Sequence, residues 1–283
     1  MTPITITTIL TLAATAAIAQ TPMETLKPTL DVGIIVSNID HAKDFYGTTL
    51  GLKLAGTLPM PDGNTMYRYQ AGTSTLKVRT APRAARHPTG VRDAVGFRLL
   101  TLYVDDLAAI VKRWTDSGNA APTLMDSGKF AFITDPDGNV VELVSAAAGV
   151  DRIAIGLTVA DVERSRAFYR EMLALPEEQP ERLALLNGGS KYTFTAGKTQ
   201  IKFWKGTADN LPNHTGNITN ALGFRYFTFI VKDVDDAAAM LKTRGAKIVI
   251  QPVDFGKIAR IMMMEDPDGN WIEFAGPLRK REN

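Results

Sequence analysis

The chain has 283 residues, a mean hydropathy of -0.04 and a formal net charge of +2 from 32 basic and 30 acidic side chains. This balance is typical of a globular protein large enough for two cores, and without a long basic block it gives no electrostatic reason to expect a nucleic-acid partner. The absence of cysteine excludes disulfides, thiolate metal sites and thiol nucleophiles.

The first 19 residues have features of an export signal. Residues 4–18 form an apolar run, and Ala17-Ile18-Ala19 before Gln20 fits the small-x-small pattern of signal cleavage. The run is too short to cross a membrane comfortably. The basic residue that usually precedes such a run is missing, so a disordered start is the alternative. We predict a signal peptide over residues 1–19, a periplasmic or secreted mature chain, and no membrane association after cleavage.

Residues 20–79 predict one strand, one helix and three further strands, each of a length usual in proteins. The apolar run 32–36 indicates a strand, and residues 39–50, which carry Phe45-Tyr46 before Gly51, indicate a helix. The three short strands that follow are expected around residues 53–58, 66–70 and 75–79. The order is β-α-β-β-β.

The same order then begins again. Residues 96–104 predict a strand and residues 106–118 a helix, with short strands around 123 and 130–134. The segment 135–143 reads Asp-Pro-Asp-Gly-Asn-Val-Val-Glu-Leu, which is a tight turn followed by an apolar strand. Because strand side chains alternate, Glu142 faces the opposite side from its apolar neighbours.

The second half of the chain repeats the first. Residues 266–274 read Asp-Pro-Asp-Gly-Asn-Trp-Ile-Glu-Phe, which repeats the turn at 135–143. The segment Gly223-Phe-Arg repeats Gly96-Phe-Arg. Small residues at 145–149 link the halves. The chain is therefore four modules. The predicted elements of the second half are 153–159, 162–173, 183–186, 192–195, 199–204, 223–231, 234–245, 248 and 260–264.

These features resemble the vicinal oxygen chelate superfamily of glyoxalase I, bleomycin-resistance proteins and extradiol dioxygenases. The resemblance is carried by the Phe-Tyr segments 36–46 and 159–169, by Val-Asp-Asp-Leu at 104–107, and by both Asp-Pro-Asp-Gly-Asn turns. It implies an α+β fold in which four βαβββ modules form two glyoxalase-like domains, over residues 29–145 and 151–277. In that family, paired modules curl into a cup that holds a divalent metal. We favour pairing of consecutive modules, with exchange between the halves as the alternative.

The resemblance also places the four metal-ligand positions of each cup. No His occupies any of the four His positions, and a lysine occupies each carboxylate position on the fourth strand. An ammonium repels a divalent cation and pairs with carboxylates instead, so we predict a metal-free cup and no cofactor. A degenerate site of Asp31 and Glu142 is the alternative. The positions are Asp31, Lys77, Leu99 and Glu142 in the first half, and Ala154, Lys202, Tyr226 and Glu273 in the second.

Strand alternation predicts what else faces the cup. The opposite face of each strand is apolar, as expected beneath helices. Four residues of the second half, Trp204, Tyr226, Thr228 and Trp271, are expected around Lys202 and Glu273. Aromatic rings with a few polar groups are typical of a site for a small organic ligand. The alternative is a filled cup in which the rings occupy the space and Lys202 pairs with Glu273.

The chain has three histidines. His41 is expected in solvent, whereas His87 and His214 stand at equivalent places, nine residues before Gly96 and Gly223. These two are candidates for ligand contacts at the cup rim or for acid–base groups, with ordinary exposed loop histidines as the alternative. Arg98 and Arg225 also recur, and we expect them to reach solvent or cap a carboxylate.

Three functions remain open. The first is an exported protein that binds a small organic molecule without turnover. The second is an enzyme, either a metal-free lyase or isomerase that uses Lys/Glu pairs, or a weak metalloenzyme or dioxygenase-type enzyme that uses Asp31 and Glu142. The third is an interaction module with closed cups. The expected partner is a small organic molecule, and assembly into a homodimer is left open.

Overall fold

The computed structural model describes residues 21–279 except 82, 89, 148–152, 184–185, 187, 208, 210 and 215. The predicted signal peptide over residues 1–19 lies outside this part of the chain.

Within these described residues, no helix combines the length and apolar character needed to cross a membrane.

Four modules of one strand, one helix and three strands follow one another, as predicted. The first contains β1 (Asp31–Val36), α1 (Ile39–Lys43), β2 (Lys53–Pro59), β3 (Thr65–Ala71) and β4 (Ser74–Thr80). The second contains β5 (Gly96–Val104), α2 (Leu107–Asp116), β6 (Leu124–Met125), β7 (Phe130–Thr134) and β8 (Val140–Ser145). The third contains β9 (Ile153–Val159), α3 (Val162–Ala167), β10 (Glu181–Arg182), β11 (Ser190–Ala196) and β12 (Thr199–Lys205). The fourth contains β13 (Gly223–Ile230), α4 (Val234–Thr243), β14 (Ile248–Phe255), β15 (Ala259–Glu265) and β16 (Trp271–Gly276).

The four helices start in the same way. Each is preceded by an Asn or Asp whose side chain accepts a backbone N–H of the first turn, which satisfies a donor that the helix itself leaves unpaired. In the first and third modules the helix continues as a wider π-helical turn, Asp44–Thr49 and Phe168–Met172. The predicted helix over residues 39–50 is therefore present, with its second half widened. The capping residues are Asn38, Asp106, Asp161 and Asp233.

The strands form two eight-stranded sheets, and each sheet takes one module from each half of the chain. The first has the order β14-β15-β16-β13-β1-β4-β3-β2, and the second has the order β10-β11-β12-β9-β5-β8-β7-β6. At the centre of each sheet the first strands of two modules pair antiparallel, β1 with β13 and β5 with β9. Our preference for pairing of consecutive modules is wrong, since the first module pairs with the fourth.

The connections are compatible with this exchange. β8 ends at Ser145 and β9 begins at Ile153, and these two strands lie on either side of β5 in one sheet. Neighbouring strands lie about 4.8 Å apart, so a link of a few residues can span the two spacings between them. The longer connections 81–95 and 206–222 carry the chain from one sheet to the other and pair with each other, through Ala85 with Ala221 and Ala94 with Leu211.

A buried tyrosine also ties the two sheets together in each half. Tyr46, in the helical segment of the first module, donates its hydroxyl hydrogen to Asp135, in the turn before β8 of the second module, at 3.0 Å, and Tyr169 donates to Asp266 at 2.8 Å. These aspartates open the two repeated turns, and Asp266 Oδ1 also accepts the backbone N–H of residues 268 and 270. Consecutive modules are thus joined by this hydrogen bond even though their strands belong to different sheets.

Burial changes the protonation of these aspartates. It raises the pKa of Asp266 to about 6, because the carboxylate has left water, while hydrogen bonds from Asn270 and Tyr169 act in the opposite direction. The same cause raises the pKa of Asp135. Since the unfolded value is about 4, the contribution of Asp266 to stability is present at low pH and is lost as the pH rises through about 6.

Removing the Tyr169 hydroxyl should therefore destabilise the folded protein more at high pH than at low pH. We expect Tyr169→Phe to lower the free energy of unfolding by about 1–3 kcal/mol at pH 7.5, because a buried carboxylate loses a donor, and by less at pH 4.5, where the carboxyl is protonated. Urea denaturation at both values measures this. Tyr192→Phe is the control, because it also removes a tyrosine hydroxyl, in this case from a half-buried ring that stacks on Phe203 at a centroid distance of 5.6 Å. An equal cost of Tyr169→Phe at both pH values would contradict the account.

Candidate functional site

The concave face of the first sheet, which we call the first cup, contains a buried three-residue network. Lys77 on β4 donates to Glu273 Oε2 on β16 at 2.6 Å and to Thr228 Oγ1 on β13 at 2.8 Å. Thr228 in turn donates to the same glutamate oxygen at 2.6 Å. The network is therefore closed: each of its three members bonds to the other two.

The concave face of the second sheet, the second cup, contains the same network. Lys202 on β12 donates to Glu142 Oε2 on β8 and to Thr101 Oγ1 on β5, both at 2.8 Å. Thr101 donates to Glu142 at 2.5 Å. Sequence reasoning did not single out Thr101, although the repeat that begins at Gly96 and Gly223 makes it the equivalent of Thr228.

The two lysines differ in their electrostatic surroundings. Burial would lower the pKa of Lys77, but the negative charge of Glu273, with a smaller effect of Asp31, raises it above its ordinary value. In the second cup burial prevails, and the pKa of Lys202 is lowered despite the charge of Glu142. The ammonium of the first cup is therefore the more firmly protonated of the two.

A large ring lies over a central glycine in each cup. In the first cup the ring belongs to Tyr226, and a Cβ placed on Gly33 would lie 1.8 Å from its Cε1 atom. In the second cup the ring belongs to Trp204, whose Cη2 atom would lie 2.8 Å from a Cβ on Gly156. These strand glycines are required because no side chain fits beneath the rings.

Each cup has an apolar wall that contains aromatic side chains. Tyr226, Met263 and Trp271 form a buried cluster there, and Lys77 Nζ lies 5.4 Å from the centroid of the Tyr226 ring. In the second cup, Trp204 packs with Leu99 and Leu186, and its Nε1 atom donates to Thr158 at 2.8 Å.

The exchange of modules separates residues that we expected together. Lys202 and Trp204 lie in the second cup, whereas Tyr226, Thr228, Trp271 and Glu273 lie in the first cup with Lys77 and Asp31. The expected pairing of Lys202 with Glu273 is wrong, since Lys202 pairs with Glu142. The alternative metal site of Asp31 and Glu142 is also wrong, because these carboxylates belong to different sheets.

The side chains at the family's ligand positions do not fit a divalent metal. The first cup brings together Asp31, Lys77, Tyr226 and Glu273, and the second Ala154, Lys202, Leu99 and Glu142. The Asp31 carboxylate already has partners within the chain, since it accepts the backbone N–H of residue 75 at 2.7 Å and pairs with Lys27. Among the residues that the structure describes, no group of three His, Asp or Glu side chains is placed to hold an ion. Each remaining glutamate is neutralised by its lysine.

His87 and His214 lie in the connections 81–95 and 206–222, and their rings contact each other at 4.6 Å between centroids. His87 is buried, so the alternative of ordinary exposed loop histidines is wrong for this residue. Arg98 and Arg225 are also buried, and neither caps a carboxylate in the part of the chain that the structure describes, contrary to our expectation. In β5 the burial of Arg98 follows from a β-bulge between residues 97 and 99, which interrupts the alternation of side chains at this residue.

Comparison with known proteins agrees with this architecture. A family model described as Glyoxalase/Bleomycin resistance protein/Dioxygenase superfamily matches residues 29–143 and 149–274. The chain therefore belongs to this superfamily, as its sequence motifs predicted.

Individual relatives are distant. The chain is similar to "Putative glyoxylase CFP32" of Mycobacterium bovis, with 24% identity over 242 residues, 81% of this chain and 86% of that protein. The structure of glyoxalase I from Zea mays superposes with a TM-score of 0.67 at 19% identity, over 88% of this chain and 92% of that one. The cppA protein from Streptococcus pneumoniae superposes with a TM-score of 0.52 at 14% identity, over 89% and 99%. These structural likenesses show the fold.

The donor set of the cups leads to a prediction about metal content. Purified protein should contain no stoichiometric Ni, Zn, Fe or Mn. A chelator should leave its melting temperature unchanged, because a metal that does not bind the folded protein does not stabilise it. Elemental analysis before and after incubation with each metal measures this. A content near one metal per chain would contradict the prediction.

Proposed function

We propose that this protein is an exported member of the superfamily that binds a small organic molecule in the first cup, without a metal and without turnover. The observation that carries the proposal is a buried hydrogen-bond donor, Trp271 Nε1, which has no partner among the described residues. It belongs to the same cup as the Lys77 network. Export is part of the proposal and rests on the signal-like residues 1–19, whose removal would leave a chain that begins at Gln20.

The unpaired donor matters because buried polar atoms are normally hydrogen-bonded. A buried N–H without an acceptor costs about 1–3 kcal/mol. A ligand that places an oxygen against Trp271 would recover this loss, and the indole ring would supply apolar contact area at the same time. Trp204 of the second cup differs, because Thr158 already accepts its N–H.

The lysine network adds a second binding group. Lys77 carries three N–H donors, of which Glu273 and Thr228 accept two. Side chains of Lys77 and Glu273 remain 14% and 11% exposed, so the network is not sealed from solvent. A firmly protonated ammonium beside aromatic rings favours a ligand with an apolar body and one carboxylate, phenolate or carbonyl oxygen.

An enzyme is the second candidate, and one feature of the second cup favours it. Burial lowers the pKa of Lys202, which makes a neutral amine more accessible than at an ordinary lysine. Such an amine beside Glu142 has the groups that a metal-free lyase or isomerase would use. Turnover of a cup ligand that is lost in Lys202→Met but kept in Lys77→Met would establish this candidate over the first.

Tryptophan fluorescence tests binding in the first cup. The chain has three tryptophans, so a panel of aromatic carboxylates, phenols and apolar ketones can be screened by quenching. We expect a bound compound to lose about 1 kcal/mol of affinity in Trp271→Phe, which keeps an aromatic ring but removes the N–H. Trp204→Phe is the matched control and should bind as the wild type does.

Two results would count against the proposal. A broad panel without any saturable quenching would leave the filled cup as the better account. An equal loss of affinity in both tryptophan variants would place the ligand elsewhere.

A further inference from the structure

Basic side chains converge where the two long connections meet between the sheets. Arg98 Nη1 lies 3.0 Å from His87 Nδ1, and the His87 ring contacts the His214 ring. Arg225 donates to the carbonyl of residue 214 at 2.8 Å. We call His87, Arg98, His214 and Arg225 the inter-sheet cluster. Among the described residues it shares no hydrogen bond with the lysine network of either cup, and it plays no part in the function proposed for them.

The inter-sheet cluster lacks a counter-charge. Arg98 and Arg225 are 6% and 4% exposed, yet neither forms an ion pair with a carboxylate among the described residues. The charge of Asp93 acts on Arg98 from a greater distance. Buried charges in proteins are normally paired, because removing an ion from water costs several kcal/mol.

The pKa values in the cluster reflect the absence of a paired negative charge. Burial lowers the pKa of both arginines to about 10, and for Arg98 the positive charge of Arg225 adds to the effect. Burial, together with the charge of Arg98, lowers the pKa of His87 to about 3. A bound anion would oppose each of these effects.

Donors without partners remain in the cluster. His87 Nε2 and Arg98 Nε are buried and have no hydrogen-bond partner among the described residues. His87 is 9% exposed, so bulk water does not replace the missing partner. In the tautomer that donates through Nε2, and through the guanidinium N–H of Arg98, the cluster offers donors for which the chain supplies no acceptor.

The repeat builds the cluster twice from the same elements. Each half contributes a His in its long connection and an Arg 11 residues later in the following strand. The two guanidinium groups come from opposite halves of the chain, and the charge of Arg225 acts on Arg98. Two neighbouring guanidinium groups are suited to a planar or tetrahedral oxyanion, whose several oxygens can accept from both.

We propose that the inter-sheet cluster binds an oxyanion, the phosphate or carboxylate group of a small molecule, between Arg98 and Arg225. Such a site would neutralise the two arginines and give acceptors to the unpaired donors. It would also stabilise the contact between the halves, because each half supplies one arginine.

NMR of the histidine rings tests this in the wild-type protein. The chain has three histidines, and exposed His41 serves as an internal control. Inorganic phosphate and acetate are titrated separately against chloride at equal ionic strength. We expect saturable shifts of the His87 and His214 signals while His41 does not move. The stronger response identifies the phosphate or the carboxylate as the preferred group. No saturable shift, or an equal shift of all three rings, would overturn the proposal.

Variants provide a second measurement. We expect the anion that binds to raise the melting temperature of the wild type, and Arg98→Gln/Arg225→Gln to bind it about tenfold more weakly and lose this increase. Arg244→Gln is the matched control, because Arg244 also donates to two backbone carbonyls, those of residues 21 and 172, at a place outside the cluster. An increase that persists in the double variant would overturn the proposal. If that variant does not fold, the wild-type titration alone decides.

Discussion

A lysine ammonium buried against a glutamate, once in each cup, is the interaction on which the rest of this structure depends. Removing two ions from water is costly, and the pair is stable only when its remaining hydrogen-bonding groups are also satisfied. The threonine of the network meets this need, since it accepts from the lysine and donates to the glutamate. Because Lys77 and Glu273 come from opposite halves of the chain, this pair stabilises the exchanged sheets only when both halves have folded.

The same interaction makes the cups a poor fit for a divalent metal. The structure has the fold of glyoxalase I from Zea mays. Yet a lysine stands in each cup at the position where the sequence resemblance implied a metal-binding carboxylate. One such change in each cup turns the glutamate on the last strand into an ion-pair partner. The fold is thereby retained while the side chains on its concave face differ from those that the resemblance implied, and the architecture alone therefore says little about activity.

Strand alternation and the repeat were sufficient to predict the modules and the inward direction of Lys77 and Glu273. They could not identify the partners, because both halves carry a lysine and a glutamate at the same positions and each pairing satisfies the same rules. The lengths of the connections can be read from the sequence, but they are compatible with either pairing, so the partners follow only from the strand order of the folded chain. Arg98 was misplaced for a local reason: the bulge adds a residue that simple alternation does not include. The aspartates of the turns were recognised, but their tyrosine partners lie 89 and 97 residues away.

A double-mutant cycle tests most directly whether the ion pairs join opposite halves. Lys77→Met is combined once with Glu273→Gln and once with Glu142→Gln, and the free energy of unfolding is measured for each single and double variant. The structure predicts a coupling of about 2 kcal/mol between Lys77 and Glu273, and additivity within about 0.5 kcal/mol for Lys77 and Glu142. A larger coupling of Lys77 to Glu142 would contradict the exchanged pairing and the networks built on it.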